Sequence, residues 1–580
     1  MGNFYLDNED IQFALNNLNL KELAQLQELY AENGDADYAP ECVDDAVSGY
    51  AEILKIAGDI AAQTIAPAAE QVDKEGHTLN DDGTVTYNPL TQKNLDKLAQ
   101  ANLLGFTLPR KYGGLNCPNL VYTMATEIIS RADCSFMNMF GLQGIAETIN
   151  AFANQEIKDM SLNRFCTGEV TGAMVLTEPD AGSDLQAVRL KAEQTADGKW
   201  VLNGVKRFIT NGCGEILLVL ARSEPEISDG RGLSLFYVEA DETVKVRHLE
   251  EKLGIHGSPT CELTFTNTPG LLVGERQRGL ITYVMALMNG ARVGIAAQSL
   301  GVAEAAFRLA RTYAAVREQF GAPIEVLPPV AEMLVDMKVK IEASRALTYH
   351  TCTVCDKENN GQRLSETPGV PKEIATAQRK AARAAKRVNG MLTPMSKYYG
   401  SEMAIEVSNM GLQVLGGSGY IKDYAAERYV RDARITSIYE GTSQLQVVGA
   451  IKGLTSGTFE SYIVENFESK TFADEKLEAL KAVLIQEREK TVEAINFTKE
   501  QGSGYLDLSA RKLVDCAIDI LIGHLFLEQA EKCERKAKVA RYFIEKQAPQ
   551  IAARCQTVLN GNQQAVADYL TVVGPVPAAE

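Results

Sequence analysis

The sequence predicts an α+β protein in which a small antiparallel β domain interrupts a chain that is otherwise helical. Apolar side chains recur at helical spacing before about residue 170 and after about residue 279. Between these positions the chain consists of short runs rich in Val, Ile, Leu and Thr, which are typical of strands. A chain of 580 residues has room for about three to five domains or subdomains around a large buried core.

Composition and charge exclude several classes of protein. The chain carries 58 Lys and Arg against 76 Asp and Glu, a net charge of −18, so we expect no nucleic-acid partner and no polybasic membrane anchor. The N-terminal residues lack the pattern of a secretory signal, and no apolar run reaches the ~20 residues of a membrane span. Eleven cysteines are too sparse for a disulfide scaffold and favour a reducing compartment, so we expect a cytoplasmic protein.

The N-terminal part of the chain is predicted to be helical. Residues 1–40 form an extension in which apolar side chains of 10–31 follow the period of an amphipathic helix. Residues 41–170 continue with helical segments and form the first large domain. A middle β domain over 171–278 follows, and its Asn203-Gly204 pair predicts a hairpin turn because both central turn positions need a positive φ.

Helices resume after Gly279. The periodicity predicts a helical bundle domain over 279–452. Gly453, Ser456 and Gly457 predict a linker, and residues 460–580 form an additional helical domain at the C terminus. The predicted helices of the bundle domain cover 280–318, 328–358, 371–392 and 396–414.

Two late segments are polar or glycine-rich where a purely structural chain needs neither. The string QVLGGSGY at 413–420 could bring backbone N–H groups close to a phosphate, although this string alone favours a helix C-cap and turn. Glu440 lies between an apolar run predicted as a strand and Gly441-Thr442-Ser443. A carboxylate at such a boundary can be partly desolvated, which raises its pKa toward that of a working base, but the position also suits an exposed turn glutamate.

Seven collinear motifs stand out along the chain. They are AMVLTEPDAGSD (173–184), KRFITN (206–211), EKLGIHGSPTCEL (251–263), NGARVGIAAQSLG (289–301), YAAVREQFGAPI (313–324), QVLGGSGY (413–420) and RYVRDARITSIYEGTSQLQ (428–446). Together they resemble the motifs of the acyl-CoA dehydrogenase family over about residues 45–450, and the extensions at both ends resemble those of a longer branch that includes 3-(methylthio)propanoyl-CoA dehydrogenase-like enzymes, with IHGSPTC as the shared string.

The resemblance implies an acyl-CoA dehydrogenase-like fold and an FAD-dependent α,β-dehydrogenation of an acyl-CoA thioester to the trans-2-enoyl-CoA. Glu440 would remove the α-proton, and its backbone N–H would help to hold the thioester carbonyl. FAD would accept the β-hydride. Some relatives place the base on the helix ahead of Arg292, where this chain has Ala291, so Glu440 is the residue that matches the role.

The resemblance also implies the residues that hold the ligands. Those matching cofactor-binding positions are Leu176, Thr177, Phe208, Thr210, Arg317, Phe320, Gln413, Gly416, Gly417, Thr442 and Gln444. Those matching substrate-binding positions are Ser183, Arg292, Tyr439 and Gly441. Arg317, Phe320 and Gln413 match residues that reach the FAD of a neighbouring subunit, so a homodimer, or a dimer of dimers, is expected.

Several alternatives stay open from the sequence. Electron-transferring flavoprotein is the expected acceptor, whereas acyl-CoA oxidases of the same fold use oxygen, and a non-catalytic scaffold would have lost the base or the flavin loop. The C-terminal extension suits extra helical packing, a cover for the dimer surface or a docking site. Cys352 and Cys355 form a lone C-x-x-C near His350, which favours helical thiols over a metal site, and no metal is expected. His256 could line a substrate channel or satisfy a loop carbonyl.

Overall fold

A computed structural model describes residues 2–577, and the outer ends of the two predicted terminal segments, Met1 and residues 578–580, lie outside the described residues. The chain divides into two compact units. The first comprises residues up to Arg383 together with Gly400–Thr442, and the second comprises Ala384–Tyr399 with the chain from Ser443 onward. The helix Lys372–Leu415 contributes to both units.

The first unit contains a helical part on either side of a small β-barrel, as the fold class predicts. Its longest helices, Met285–Val316 and Pro328–Glu366, pack with Asn119–Ala132 around a buried charge network in which Arg345 donates to Glu127 at 2.6 Å. The other helices of this unit are Glu9–Asn17, Leu20–Glu28, Val43–Ile60, Ala66–Glu75, Pro89–Gln100, Phe136–Gly141, Gln143–Phe152, Gln155–Thr167, Gly417–Tyr420 and Ala426–Ile435.

Seven strands form the barrel of the middle region. Five of them close a ring in the order Ile216–Arg222, Lys191–Gln194, Trp200–Thr210, Thr260–Val273 and Leu233–Glu239, because the last strand pairs back with the first. The strands Gly172–Val175 and Val244–Leu249 pair with Ile216–Arg222 and Thr260–Val273. The pairings are antiparallel except those of Ile216–Arg222 with Gly172–Val175 and with Lys191, so the sheet is mixed where the sequence predicted an antiparallel one.

Strand Ile216–Arg222 shows how the sequence places the barrel. Its residues ILLVLA are all buried, and alternate side chains enter different cores because successive residues of a strand point to opposite faces. Leu217 and Val219 fill the barrel interior, whereas Leu218 and Leu220 pack against the neighbouring helices. A strand covered on both faces therefore joins the barrel to the helical part of the first unit.

The Asn203-Gly204 hairpin prediction is wrong. Residues Trp200–Thr210 form one continuous strand, and the pair lies at a β-bulge in its ladder with Thr260–Val273. Gly204 has a φ of +146°, and a Cβ there would meet the Cα of Leu190 at 3.1 Å. The glycine thus serves a bulge and a close backbone approach, two roles that resemble a turn signal in sequence.

Two helix predictions and one strand prediction also need correction. The predicted 10–31 helix is two helices, Glu9–Asn17 and Leu20–Glu28, because the side chain of Asn19 caps the start of the second. The predicted break at 392–396 does not occur, since Lys372–Leu415 continues through Pro394. The run before Glu440, predicted as a strand, is the helix Ala426–Ile435.

The second unit is built on three long helices that follow one another in the chain and pack pairwise, Glu475–Gln501, Ser503–Ala530 and Glu534–Leu559. Residues 516–527 of the middle helix are buried throughout, so this helix forms the core of the unit. Within the same unit, Tyr398 donates a hydrogen bond to Asp515 at 2.8 Å. The remaining helical segments are Ser443–Thr455, Thr458–Ile463, Val464–Glu468, Gln564–Ala567 and Tyr569–Val573.

The described part of the chain includes one helical stretch, Gly279–Val316, whose length and apolar composition would suffice to cross a membrane. The core helix of a soluble protein passes the same test. Residues 295–306 of this stretch are buried inside the first unit, which is the arrangement of a core helix.

Candidate active site

The 173–184 segment, predicted to contact the flavin, is held by a buried ion pair. Glu178 and Ala181 exchange backbone hydrogen bonds and close a tight turn. The fully buried Lys206 donates to the carbonyl of Leu176 at 2.7 Å and pairs with the carboxylate of Glu178 at 3.0 Å. Burial lowers the pKa of Lys206 to about 8, although Glu178 opposes that shift. The lysine therefore fixes the backbone that presents Leu176 and Thr177.

The end of strand Trp200–Thr210 lies beside this segment. The backbone N–H of Arg207 donates to the carbonyl of Thr177 at 2.9 Å, which places Phe208 next to the segment. Phe208 has a φ of +60° and remains 53% exposed, an unusual position for a phenylalanine. Asn211 is buried and bonds through its side chain to Tyr87, Thr171 and Gly172, so the strand end is rigidly held.

Glu440 lies in the turn after helix Ala426–Ile435. It is partly buried, and its φ of +55° is followed by +90° at Gly441. The hydroxyl of the preceding residue, Tyr439, donates hydrogen bonds to the side chains of Asn138 and Gln298. The residue directly before Glu440 is therefore held in place by its side chain.

Arg292 is a charged group within electrostatic range of Glu440. It lies on the helix Met285–Val316, where its Nη1 donates to Asn289 at 3.0 Å and its Nε is buried without a protein partner. Burial lowers the pKa of Arg292, and attraction to Glu440 opposes that shift. A buried, unpaired N–H beside a carboxylate is a group that an oxygen-bearing ligand would satisfy.

A second group of predicted residues lies on the surface of the first unit. Phe320 is 92% exposed with a φ of +55° in the short hairpin after Val316. Gly416 ends the helix Lys372–Leu415 with a φ of +60°, as the C-cap interpretation predicts. Tyr313 links the two places, because it donates to Ser418 and packs edge-on against Tyr424.

The structure thus gathers the predicted residues at three places of the first unit. The barrel edge carries Leu176, Thr177, Phe208 and Thr210. The turn of Glu440 and its surroundings carry Arg292, Tyr439, Glu440, Gly441 and Thr442. The outer surface carries Arg317, Phe320, Gln413, Gly416 and Gly417. Ser183 is exposed in the 173–184 segment. Gln444 is exposed in the first turn of Ser443–Thr455, in the second unit.

Sequence reasoning missed the residues that hold these groups in place. Lys206 was recognised within a motif, but its pairing with Glu178 was not predicted. Asn138 and Gln298 were not singled out, and they carry a faint signal, since both are amides in otherwise apolar helical runs. A polar side chain at such a position predicts a buried hydrogen-bond network.

Cys352 and His256 are residues for which the sequence favours structural roles. Cys352 is buried within the helix Pro328–Glu366, and among residues 2–577 no cluster of three or more His, Cys, Asp or Glu side chains could hold a metal ion. His256 bonds to the carbonyls of Asp73 and Lys252, in agreement with its loop interpretation.

Comparison with known proteins identifies the family. Four family models match successive parts of the chain. They are the N-terminal domain of acyl-CoA dehydrogenase at residues 50–169, its middle domain at 173–268, its C-terminal domain at 278–453, and a further acyl-CoA dehydrogenase C-terminal model at 455–562. The chain belongs to the acyl-CoA dehydrogenase family. Its members are FAD-dependent oxidoreductases that act on CH–CH bonds, so this chain is an enzyme of that class with FAD as its cofactor.

Relatives and solved structures support the same assignment. An acyl-CoA dehydrogenase of Bacillus subtilis (strain 168) is 34% identical over 412 residues, covering 70% of this chain and 97% of its own. The 3-methylmercaptopropionyl-CoA dehydrogenase of Ruegeria pomeroyi is 32% identical over 464 residues, covering 75% and 74%, which confirms the resemblance to that branch. Among structures, the Bacillus anthracis acyl-CoA dehydrogenase complexed with FAD shares the fold with a TM-score of 0.75 and 24% identity over 96% and 94% of the two chains.

A further solved chain comes from work on the electron transferring flavoprotein of Acidaminococcus fermentans. It is 32% identical with a TM-score of 0.60, and the match covers 70% of this chain and 97% of that one. The Bacillus anthracis structure is the one of these two that extends over the C-terminal helical unit as well.

Proposed function

We propose that this acyl-CoA dehydrogenase converts an acyl-CoA thioester to the trans-2-enoyl-CoA with Glu440 as the base, and that electron-transferring flavoprotein takes the electrons. The observation that carries the proposal is the constrained, partly buried turn of Glu440, whose carboxylate lies within electrostatic range of Arg292. A base for carbon acids must be fixed in place and partly removed from water. The positive φ and the partial burial of Glu440 support this role.

A positive charge lies within range of the candidate base. Attraction to Glu440 favours the charged form of Arg292 and opposes the effect of burial on its pKa. The α-proton of a thioester is a weak acid, so the residues around the carbonyl must stabilise enolate-like charge. The buried Nε–H of Arg292 is a donor within this site that has no protein partner.

The residues at the barrel edge fit the cofactor. FAD supplies the acceptor for the hydride when it is bound. The exposed ring of Phe208 provides a flat apolar wall, and Thr177 and Thr210 provide hydroxyls on half-buried backbone beside it. A phenylalanine held at positive φ and left open to solvent is explained if it packs against a planar ligand.

The exposed surface group supports a homodimer. Phe320, Gln413, Gly416 and Gly417 lie on the outside of the first unit, as expected of residues that would reach the cofactor of a second copy. A dimer of dimers is compatible with the same surface. We further propose a role in fatty-acid β-oxidation, which would use the dehydrogenation of an acyl-CoA thioester, and a location in the cytoplasm, which the sparse cysteines favour.

The acceptor and the chain length of the substrate are tested by one anaerobic experiment. The purified yellow protein is mixed with thioesters of several classes, namely short straight chains, methylthiopropanoyl-CoA, branched chains and aromatic-bearing chains. The proposal predicts that one class bleaches the flavin absorbance, and that added electron-transferring flavoprotein restores it faster than oxygen does. Faster recovery with oxygen would favour the oxidase alternative, and a yellow protein that no thioester bleaches would favour the scaffold alternative.

A further inference from the structure

The buried amides of Asn138 and Gln298 lie against the hydroxyl of Tyr439, next to the proposed base. The single proton of the Tyr439 hydroxyl is shared between Asn138 Oδ1, at 3.2 Å, and Gln298 Oε1. Gln298 is fully buried and Asn138 is almost fully buried, so water does not compete for these bonds.

The amide of Gln298 has one allowed orientation. Its Nε2 donates to the carbonyl of Cys134 at 2.8 Å and to Asn138 Oδ1 at 3.1 Å, so both N–H groups are used. Rotating the amide would place its oxygen against two other oxygens. Gln298 Oε1 therefore always faces Tyr439, and the tyrosine is always the donor.

The backbone of Glu440 depends on what holds its neighbours. Left-handed φ is disfavoured for a residue with a Cβ, so surrounding contacts must maintain it. Gly441 adopts positive φ without strain. The side chain of Tyr439, the preceding residue, is fixed by its hydrogen bonds, which makes it an anchor for the direction of the Glu440 side chain.

The same network reaches the flavin side of the site. Asn138 Nδ2 donates to Ser258 Oγ at 3.2 Å. The next residue, Pro259, accepts a hydrogen bond from the backbone N–H of Asn211 at 2.7 Å. Asn211 directly follows Thr210. Hydrogen bonds and neighbouring residues of the chain therefore connect the turn of Glu440 to the strand end that carries the predicted flavin contacts.

We propose that Asn138 and Gln298 are positioning residues that hold Tyr439 and, through it, fix the carboxylate of Glu440 relative to the strand end at Phe208–Thr210. The proposal rests on the proposed role of Glu440 as the base. It assigns no chemical step to the amides or to the tyrosine. It predicts that their loss slows proton removal while leaving substrate and cofactor binding in place.

Tyr439→Phe tests the proposal because it removes one oxygen atom. We expect FAD content and KM to change less than twofold, the rate of anaerobic flavin reduction to fall at least tenfold, and the isotope effect with an α-deuterated thioester to rise. Gln298→Met should give the same pattern, and the double variant should be no slower than either single variant, since the residues act as one unit. Tyr50→Phe is the matched control, because its buried hydroxyl has no protein partner, and it should leave all three measurements unchanged.

Two results would overturn the proposal. One is a wild-type rate and isotope effect in Tyr439→Phe, and the other is a raised KM with an unchanged rate, which would make the tyrosine a substrate contact only. If either single variant fails to bind FAD, the other carries the test. Glu440→Gln distinguishes the proposed base from the proposed positioning role. Turnover in Glu440→Gln would show that Glu440 is not the base. An inactive Glu440→Gln together with a fully active Tyr439→Phe would refute the positioning role alone.

Discussion

Lys206 and Glu178 show how a single buried pair controls the shape of a binding segment. The carboxylate accepts backbone N–H groups from Arg189 and Leu190, at 2.8 and 2.9 Å, in addition to the lysine. The ammonium also holds the carbonyl of Leu176. The pair therefore fixes the backbone at 176–178 and at 189–190. It matters more for the geometry of the 176–178 backbone than for the Coulomb energy that it contributes.

Lys206→Met should destabilise the fold and weaken FAD retention. The change leaves Glu178 buried without its counter-charge and the Leu176 carbonyl without its donor, which costs roughly 3 kcal/mol for breaking a buried pair. The measurements are the denaturant midpoint and the ratio of flavin to protein absorbance. Lys199→Met is the control, since its pair with Asp197 is solvent-exposed, and it should leave both values unchanged. Equal effects of the two variants would contradict the structural role of Lys206.

The sequence singles out a candidate base and a candidate flavin contact, whereas it does not single out the residues that hold them. Glu440 and Phe208 stand in motifs whose spacing is short and continuous in sequence. Their positive φ values and the contacts of Tyr439 depend on residues such as Gln298 that are far away in the chain. A buried amide partner is a tertiary property, and periodicity in one sequence does not contain it.

At the scale of elements, local signals failed where tertiary contacts decide between two outcomes. Asn203-Gly204 has the composition of a turn, but pairing with Thr260–Val273 keeps the strand extended through a bulge. Pro394 is an ordinary helix breaker, yet Lys372–Leu415 continues through it. Strongly periodic segments such as Ser503–Ala530 were predicted as helix and are helical.

Three elements of the first unit meet at an ionic junction. Asp73 on Ala66–Glu75 faces His256 in the 251–259 loop at 3.1 Å and Arg431 on Ala426–Ile435 at 2.7 Å. The hydrogen bond to Asp73 raises the pKa of His256 to about 9. Although burial opposes it, bonds from His256 and Arg431 hold the pKa of Asp73 well below its usual range. The junction fixes the helix that leads into the Glu440 turn.

The junction predicts a loss of stability at alkaline pH. The folded pKa of His256 lies above its ordinary value of about 6.5, so its contribution is complete below about pH 6.5 and is lost as the pH rises through about 9. Between pH 6.5 and 9.5 the wild type should lose about 1 kcal/mol more unfolding free energy than His256→Asn, a value reduced for screening of a one-third exposed ring.

Denaturant titrations at the two pH values measure this difference. His248→Asn is the matched control, because His248 is exposed and lies 4.0 Å from its carboxylate neighbour, and it should lose as much stability as the wild type. An identical pH dependence in the wild type and in His256→Asn would show that the histidine is not part of the junction's stability.

For the whole molecule, the order of helical, β and helical parts was predictable and the grouping of the helices was not. Composition changes near 171 and 279 mark the barrel clearly. Residues 384–399, within the long helix, belong with the C-terminal unit, and no local signal separates them from the rest of that helix. The predicted bounds of 279–452 and 460–580 stay predictions, since unit membership depends on packing between segments far apart in the chain.

The proposed role of Glu440 is to remove the α-proton of a bound acyl-CoA thioester. The most direct test compares the wild type with Glu440→Gln in anaerobic rapid mixing with the thioester class that bleaches the wild-type flavin. We expect Glu440→Gln to bind FAD and the thioester with little change but to reduce the flavin at least a thousandfold more slowly, because the amide cannot accept a proton. Flavin reduction at the wild-type rate in Glu440→Gln would show that Glu440 is not the base.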